Sequence, residues 1–119
     1  MIEELAARVF CARDCAHRAH WKTHSYAAHM ALGAFYENVI EAVDALVEAY
    51  QGKNGLIGNF NCETHNVSPT SIGEYLAEEA KWIADNRDEI AGGCPTMANL
   101  VDNLITVYHT AVYKLKTFD

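Results

Sequence analysis

Four of the six histidines in the chain fall within thirteen residues, at His17, His20, His24 and His29. The apolar residues before them recur at helical spacing, at Ile2, Leu5, Ala6, Val9 and Phe10. At 100° per residue the same helical face continues through Arg13 and the first three histidines. Ionisable side chains rarely occupy core positions unless they are paired, hydrogen-bonded or bound to a metal. The sequence therefore predicts either a metal site or a buried hydrogen-bonded network at these imidazoles.

Carboxylates on two other segments could complete a metal coordination shell. Glu79 lies at the centre of an apolar stripe, where a carboxylate needs a partner, and we expect it beside His17 and Arg13 or on the metal itself. Asp44 and Glu48 are four residues apart, a spacing that can hold one cation between two helical side chains. In the absence of a metal, the same two acids would form an ordinary solvated face.

The four cysteines do not follow the pattern of a structural zinc site. Cys11 and Cys15 are four residues apart, Cys62 falls in a loop, Cys94 precedes a proline, and the chain has no CxxC pair. Helical spacing places Cys11 and Cys15 on the back of the first helix, opposite the apolar stripe. We therefore expect them to be reduced and exposed, in reach of a subunit contact.

Composition excludes several classes of function. The net charge of −7 disfavours binding to nucleic acid or to an anionic membrane, both of which attract basic surfaces. No apolar run approaches the roughly 18 residues of a membrane span, and the N-terminal MIEELAARVF is unlike a secretory signal. We expect a single domain over residues 1–119, located in the cytoplasm of a bacterium or an infected host cell, or in a virion.

Apolar spacing of three and four residues predicts four helices. The first two span Ile2–Thr23 and Ser25–Gln51, with Ser25 as the N-cap and Gly52 as the stop. The third begins with Ser71 and Glu74 as a capping box and ends at Gly92-Gly93, and the fourth begins near Pro95. The expected class is all-α.

Residues 52–69 form the one long irregular segment, which is rich in glycine and asparagine. Eighteen residues can cross a bundle whose helices are about 30 Å long, whereas a turn between neighbouring helices needs only a few. A crossover makes helices 2 and 3 parallel and brings Glu79 level with His17. The sequence therefore predicts a ferritin-like four-helix bundle with a long crossover between helices 2 and 3.

From His20 to Gly52 the sequence reads HWKTHSYAAHMALGAFYENVIEAVDALVEAYQG. This segment resembles the first helix–turn–helix of Dps-type mini-ferritins, with an HW pair, a second histidine and an Asp-x-x-x-Glu pair in the same order. The stretches SYAAHMALGAFYE and AYQG more closely resemble short ferritin-like proteins found largely in tailed bacteriophages.

The resemblance implies a metal site between two-fold-related subunits, with histidines from one subunit and the acid pair from the other. The acids map onto Asp44 and Glu48, and the second histidine maps onto His29. Matching the tryptophan selects His20 as the first histidine, whereas matching the family's spacing selects His17.

On this resemblance we expect a homo-oligomer that binds iron or another divalent metal and could oxidise Fe²⁺ with peroxide or oxygen. The family's basic DNA-binding tail is absent, so DNA protection is not implied. ExxH pairs are also missing from helices 2 and 4, which argues against a di-iron site within one subunit. The alternative is a non-catalytic phage structural or interaction protein that binds other phage proteins and uses its polar residues for packing.

Overall fold

The computed structural model describes residues 1–119, which form α-helices and no strands. The helices are α1 (Ile2–Lys22), α2 (Tyr26–Asn54), α3 (Ile72–Asp85), α4 (Arg87–Ala91) and α5 (Pro95–Thr117). The predicted all-α class is confirmed. None of the five helices combines the length and the hydropathy that a membrane span requires.

Helix α2 begins where it was predicted to begin but ends later. The Ser25 side chain accepts a hydrogen bond from the Ala28 backbone N–H (3.1 Å), which confirms Ser25 as the N-cap. The helix continues through Gly52 and ends at Gly55, whose φ of +93° suits a residue without a Cβ. The prediction that Gly52 stops the helix is wrong, since an interior glycine weakens a helix by only about 1 kcal/mol.

The predicted third helix is divided into α3 and α4 at Asn86. The Asn86 side-chain amide donates to the Trp82 carbonyl (2.8 Å), and the Asn86 backbone adopts φ −104° and ψ 8°. A side chain that bonds to the backbone in this way competes with the helical ladder. The predicted end at Gly92 is confirmed, because Gly92 caps α4 in the left-handed conformation.

The capping box predicted for the third helix is wrong. Ser71 does precede α3, but its side chain forms no capping hydrogen bond. Its backbone lies in the αR region (φ −107°, ψ −11°), whereas a capping side chain normally requires an extended residue. Two backbone bonds accepted by the Ser68 carbonyl, from Ser71 and Ile72, start the helix instead.

One apolar core holds the helices together. Helix α1 packs against α2 and α3, while α5 packs against α2, α3 and α4. The largest fully buried side chains include Tyr108, Phe35, Leu5, Leu32 and Leu46. Phe35 of α2 meets Tyr108 of α5 edge to face, with ring centroids 5.0 Å apart. This pair joins the two longest helices at the centre of the core.

The core side of α1 follows its alanines rather than its histidines. Buried positions in the second half of α1 include Ala12, Ala16 and Ala19, and no histidine, arginine, lysine or carboxylate of the chain is fully buried. The expectation that imidazoles continue the core stripe is therefore wrong. Small alanine side chains let neighbouring helices approach closely, and the buried Ala16 and Ala19 each lie one position before a histidine, His17 and His20.

Residues 55–71 run along α1 as an irregular segment. The Gly58 N–H donates to Glu3 Oε2 (2.8 Å) near the start of α1, and the Cys15 thiol donates to the His65 carbonyl (3.3 Å) in its middle. The segment covers Cys11 and Cys15, which are both buried. The prediction that these thiols are exposed is wrong because the back of α1 is the side on which this segment packs.

Replacing Tyr108 with phenylalanine is expected to stabilise the protein by about 1 kcal/mol. The Tyr108 hydroxyl is buried and forms no hydrogen bond with another protein group, so its desolvation is uncompensated. Burial also raises the pKa of this phenol. Thermal and urea unfolding check the gain, with Tyr113→Phe as an exposed control that should change nothing. A less stable Tyr108→Phe variant would show that the hydroxyl is bonded in solution.

Candidate functional site

His20 and His29 face each other across the turn between α1 and α2. Their rings stack with centroids 3.7 Å apart and an angle of 16° between planes. His20 Nδ1 bonds to the His29 carbonyl (2.6 Å), and His29 Nδ1 bonds to the His20 carbonyl (2.9 Å). Gly33 leaves room for this pair, since a Cβ there would lie 3.3 Å from His20 Cε1.

The reciprocal hydrogen bonds fix the tautomer of both rings. A carbonyl oxygen can only accept, so each Nδ1 carries a proton, and the neutral ring keeps an acceptor lone pair on Nε2. Neither Nε2 takes part in a hydrogen bond, and both side chains are half-buried. The pair thus presents two imidazole nitrogens in the state that binds metals.

His17 and His24 occupy different surroundings. His17 stacks on Tyr36 of α2 (centroids 4.0 Å, 13°) and contacts Trp21, whereas His24 lies exposed in the turn. His17 is also 6.2 Å from His20, ring centroid to ring centroid. Three of the four clustered histidines therefore share one surface between α1 and α2.

Asp44 and Glu48 lie on α2, exposed to solvent. The salt bridges of the chain lie elsewhere, so neither carboxylate has a cationic side chain within bonding distance. The structure does not bring these two acids together with His17, His20 or His29 in one chain, because no metal-competent cluster includes them.

Glu79 is paired, but with Arg8 rather than with His17 or Arg13. Arg8 Nη1 donates to Glu79 Oε2 at 2.9 Å, and the Arg8 guanidinium carbon lies 4.3 Å from the Trp82 ring centroid. Burial raises the pKa of the Glu79 carboxyl, and Arg8 partly offsets that rise. The carboxylate therefore has a cationic partner, but it lies five residues earlier in α1 than the expected Arg13.

The one group of three metal-ligating side chains that converges within the chain is Cys11, Cys15 and His65. Sequence reasoning missed it, since it placed both thiols on an exposed face of the first helix and assigned no role to His65. The i, i+4 spacing of the cysteines was the available signal. The third member comes from a segment whose path the helical periodicity does not encode.

The cysteine cluster has short internal distances. The two sulfurs are 4.0 Å apart, and Cys11 Sγ lies 3.7 Å from His65 Nδ1. The Tyr75 hydroxyl donates to Cys11 Sγ at 3.5 Å. Burial, followed by the neighbouring Cys11, raises the pKa of the Cys15 thiol to about 12, and burial also raises the pKa of Tyr75. Cys15 is therefore a protonated thiol at neutral pH.

A family model described as a family of unknown function, DUF5856, matches residues 20–115. The chain belongs to this family. The DUF5856 match includes the stacked histidine pair, the acid pair Asp44 and Glu48, and Glu79, and it begins after Cys11 and Cys15. No curated protein and no solved structure matches the chain.

Proposed function

We propose that the chain folds as a ferritin-like four-helix bundle in which α3 and α4 together act as the third helix. Arg8 contacts Glu79 while Cys11 contacts Tyr75, so residue numbers rise along α1 as they fall along α3. The short turn at residues 23–25 makes α1 and α2 antiparallel as well. These contacts, and the path of residues 55–71 along α1, support parallel α2 and α3 joined by a crossover.

The function proposed for this bundle is metal binding, with iron as the metal, at a site shared by two subunits. One subunit supplies His29 and either His17 or His20, and the other supplies Asp44 and Glu48. A Dps-like site of this kind would take Fe²⁺ as its substrate and oxidise it to Fe³⁺ with peroxide or oxygen. Glu79 is not a metal ligand in this proposal, because it forms an ion pair with Arg8.

The observation that carries this proposal is the position of His29, Asp44 and Glu48 around and along α2. At 100° per residue, His29, Asp44 and Glu48 fall within an arc of about 100° on one face. Along the axis, the acids lie about 22 and 29 Å from His29, too far to share an ion within one chain. A second copy of α2 running antiparallel, with the two-fold axis near residues 37–38, places the acids of each copy at His29 of the other.

Exposed apolar side chains beside the histidines support a homo-oligomer. Trp21 is 71% exposed, Tyr26 75% and Met30 54%, and an apolar patch of this kind marks an interface more often than bare surface. Phe35 of α2 does not contribute to this surface, because it is buried against Tyr108. Cys11 and Cys15 are likewise excluded from it by their burial.

Fe²⁺ titration of the purified protein, with light scattering for its mass, tests the proposal. The wild type should be an oligomer that binds Fe²⁺ in a fixed ratio to chains. His29→Ala and the double variant Asp44→Asn/Glu48→Gln should each lose most of that iron, because each removes one half of every site. His109→Ala is the matched control, since His109 is an exposed histidine of α5.

Mixing the two defective variants makes the test specific for a shared site. In a mixed dimer, intact histidines from one chain meet intact acids from the other, so about a quarter of the sites should recover in a statistical mixture. A mixture that binds no more Fe²⁺ than its components would contradict the shared site. A wild type that is monomeric, or inert to Fe²⁺, would contradict the proposed function.

A second candidate is a non-catalytic structural or interaction protein of a phage. The observation that favours it is the reciprocal bonding of His20 and His29, which satisfies both Nδ1 groups without a metal. Under this candidate, the partners would be other phage proteins and the location the host cytoplasm or the virion. A metal-free wild type in which His29→Ala lowers only the stability would support it.

A further inference from the structure

Cys11, Cys15 and His65 meet at a place that the proposed iron site does not use. Both sulfurs come from consecutive turns of α1, and the imidazole comes from residues 55–71, which cross over them. Their ligand atoms all lie within 4.8 Å of one another. Cys11 and His65 border a cavity of about 370 Å³, whose other polar lining residues include Tyr75 and Glu79.

The distances match those of a tetrahedral ion bound by sulfur and nitrogen. Two thiolates at about 2.3 Å from such an ion lie about 3.8 Å apart, and a thiolate and an imidazole nitrogen lie about 3.6 Å apart. The observed separations are 4.0 Å between sulfurs and 3.7 Å between Cys11 Sγ and His65 Nδ1. Both separations are within about 0.2 Å of these values, whereas the third pair, Cys15 and His65, has ligand atoms up to 4.8 Å apart. The His65 imidazole must therefore move up to about 1 Å towards Cys15 for the three groups to share an ion.

We propose that Cys11, Cys15 and His65 form a second metal site, which takes a soft divalent cation of the zinc type. Thiolate and imidazole ligands favour Zn²⁺ over the harder cations that carboxylates bind. Each thiol releases its proton as it binds, and two thiolates neutralise the charge of the ion inside a largely buried site.

The neighbours of the cluster suit this ligand set. The Tyr75 hydroxyl already donates to Cys11 Sγ, and the same bond would stabilise a metal-bound thiolate. His65 packs edge to face on Tyr75, which limits the orientations of the imidazole (ring centroids 5.8 Å). Cys11 and His65 both border the cavity, so a water molecule can supply a fourth ligand.

Metal titration of the full-length, reduced protein tests this site. After removal of bound metal with a chelator, Zn²⁺ uptake is measured in competition with a chromophoric chelator, and the wild type should bind one Zn²⁺ per chain more than Cys11→Ala/Cys15→Ala does. The difference is the relevant quantity, because a histidine and carboxylate site also binds Zn²⁺. Co²⁺ in place of Zn²⁺ should give the thiolate-to-metal charge-transfer band and the intense visible bands of a tetrahedral complex. An octahedral Co²⁺ spectrum, or no binding, would overturn the proposal.

Variants assign the ligands. Cys11→Ala/Cys15→Ala should abolish the charge-transfer band while keeping apolar side chains in the core. His65→Ala changes an exposed loop residue, so the helices should stay folded, and the affinity for Zn²⁺ should fall at least about 10-fold. Cys62→Ser, which removes an exposed thiol outside the cluster, should bind as the wild type does. Equal losses in Cys62→Ser and His65→Ala would overturn the assignment.

The two metal proposals can fail separately. His29→Ala should leave the thiolate-to-Co²⁺ charge-transfer band unchanged, whereas Cys11→Ala/Cys15→Ala should leave the uptake of Fe²⁺ unchanged. Loss of the thiolate band in His29→Ala would show that the cysteine cluster does not hold the ion on its own, and would overturn this inference.

Discussion

The Phe35→Ala variant is expected to lose about 3–5 kcal/mol of unfolding free energy, the largest effect of any single substitution proposed for this protein. Phe35 is 2% exposed and meets Tyr108 edge to face. Truncation removes the ring, its aromatic contact and its hydrophobic transfer energy, and leaves a cavity between α2 and α5. Because domains of this size are stable by only about 5–15 kcal/mol, much of the stability would be lost.

Urea unfolding followed by circular dichroism measures this loss. A lower midpoint at an unchanged slope would show that stability fell without a change in the surface exposed on unfolding. Leu56→Ala is the control, since it also truncates an apolar side chain, but one that is exposed in the 55–71 segment. A loss for Phe35→Ala below about 1.5 kcal/mol would mean that the helices close over the cavity.

The Arg8→Ala variant is expected to lose about 2–3 kcal/mol at neutral pH. Removal of one partner from a fully buried ion pair costs about 3–5 kcal/mol, and the Arg8 side chain is 36% exposed, so solvent screening reduces the figure. Glu79 would keep its desolvated carboxylate without the 2.9 Å bond, and Trp82 would lose its cationic neighbour.

The loss in Arg8→Ala should depend on pH. Burial raises the pKa of folded Glu79 above its ordinary value of 4.5, and removal of Arg8 raises that pKa further. The folded state then binds the Glu79 proton more tightly than the unfolded state does, so ionisation costs stability as pH rises above 4.5. Below that pH both states are protonated and the penalty disappears. The defect should therefore shrink between pH 7 and pH 4.

Unfolding curves for Arg8→Ala and for Arg8→Ala/Glu79→Gln, recorded at both pH values, separate the two causes. The double variant should recover part of the stability at pH 7, because a neutral amide has no ionic desolvation penalty. An equal loss for Arg8→Ala at both pH values would attribute the effect to packing on Trp82 instead of charge.

Much of the fold could be predicted because helical periodicity and end signals are local. Ser25, Gly92 and Pro95 mark helix ends correctly, and each acts through its own backbone or side chain. The break at Asn86 could not be read, because asparagine is tolerated inside helices and breaks one only when its side chain bonds to the backbone. The core face in the second half of α1 was predicted wrongly, because alanine is only weakly hydrophobic and its burial is hard to recognise from sequence.

The candidate site was predicted only in part, because only some of its contacts are local in sequence. His20 and His29 are close in sequence across one turn, and the structure places them in contact. Glu79 was correctly expected to need a partner, but Arg8, Arg13 and His17 are all basic side chains of α1, and periodicity does not choose between them. The Cys11, Cys15 and His65 cluster depends on a contact between residues 50 or more positions apart, made by a segment without periodic structure.

The 55–71 segment also limits access to the sulfur of Cys15. The backbone of this segment contacts Cys15 directly, through the bond from its thiol to the His65 carbonyl, and Cys15 is fully buried. A segment without helical hydrogen bonds can lift off locally at a smaller free-energy cost than that of unfolding the helices. Alkylation, oxidation or metal exchange at Cys15 is therefore a gated process, whose rate follows the departure of the segment while the helices stay folded.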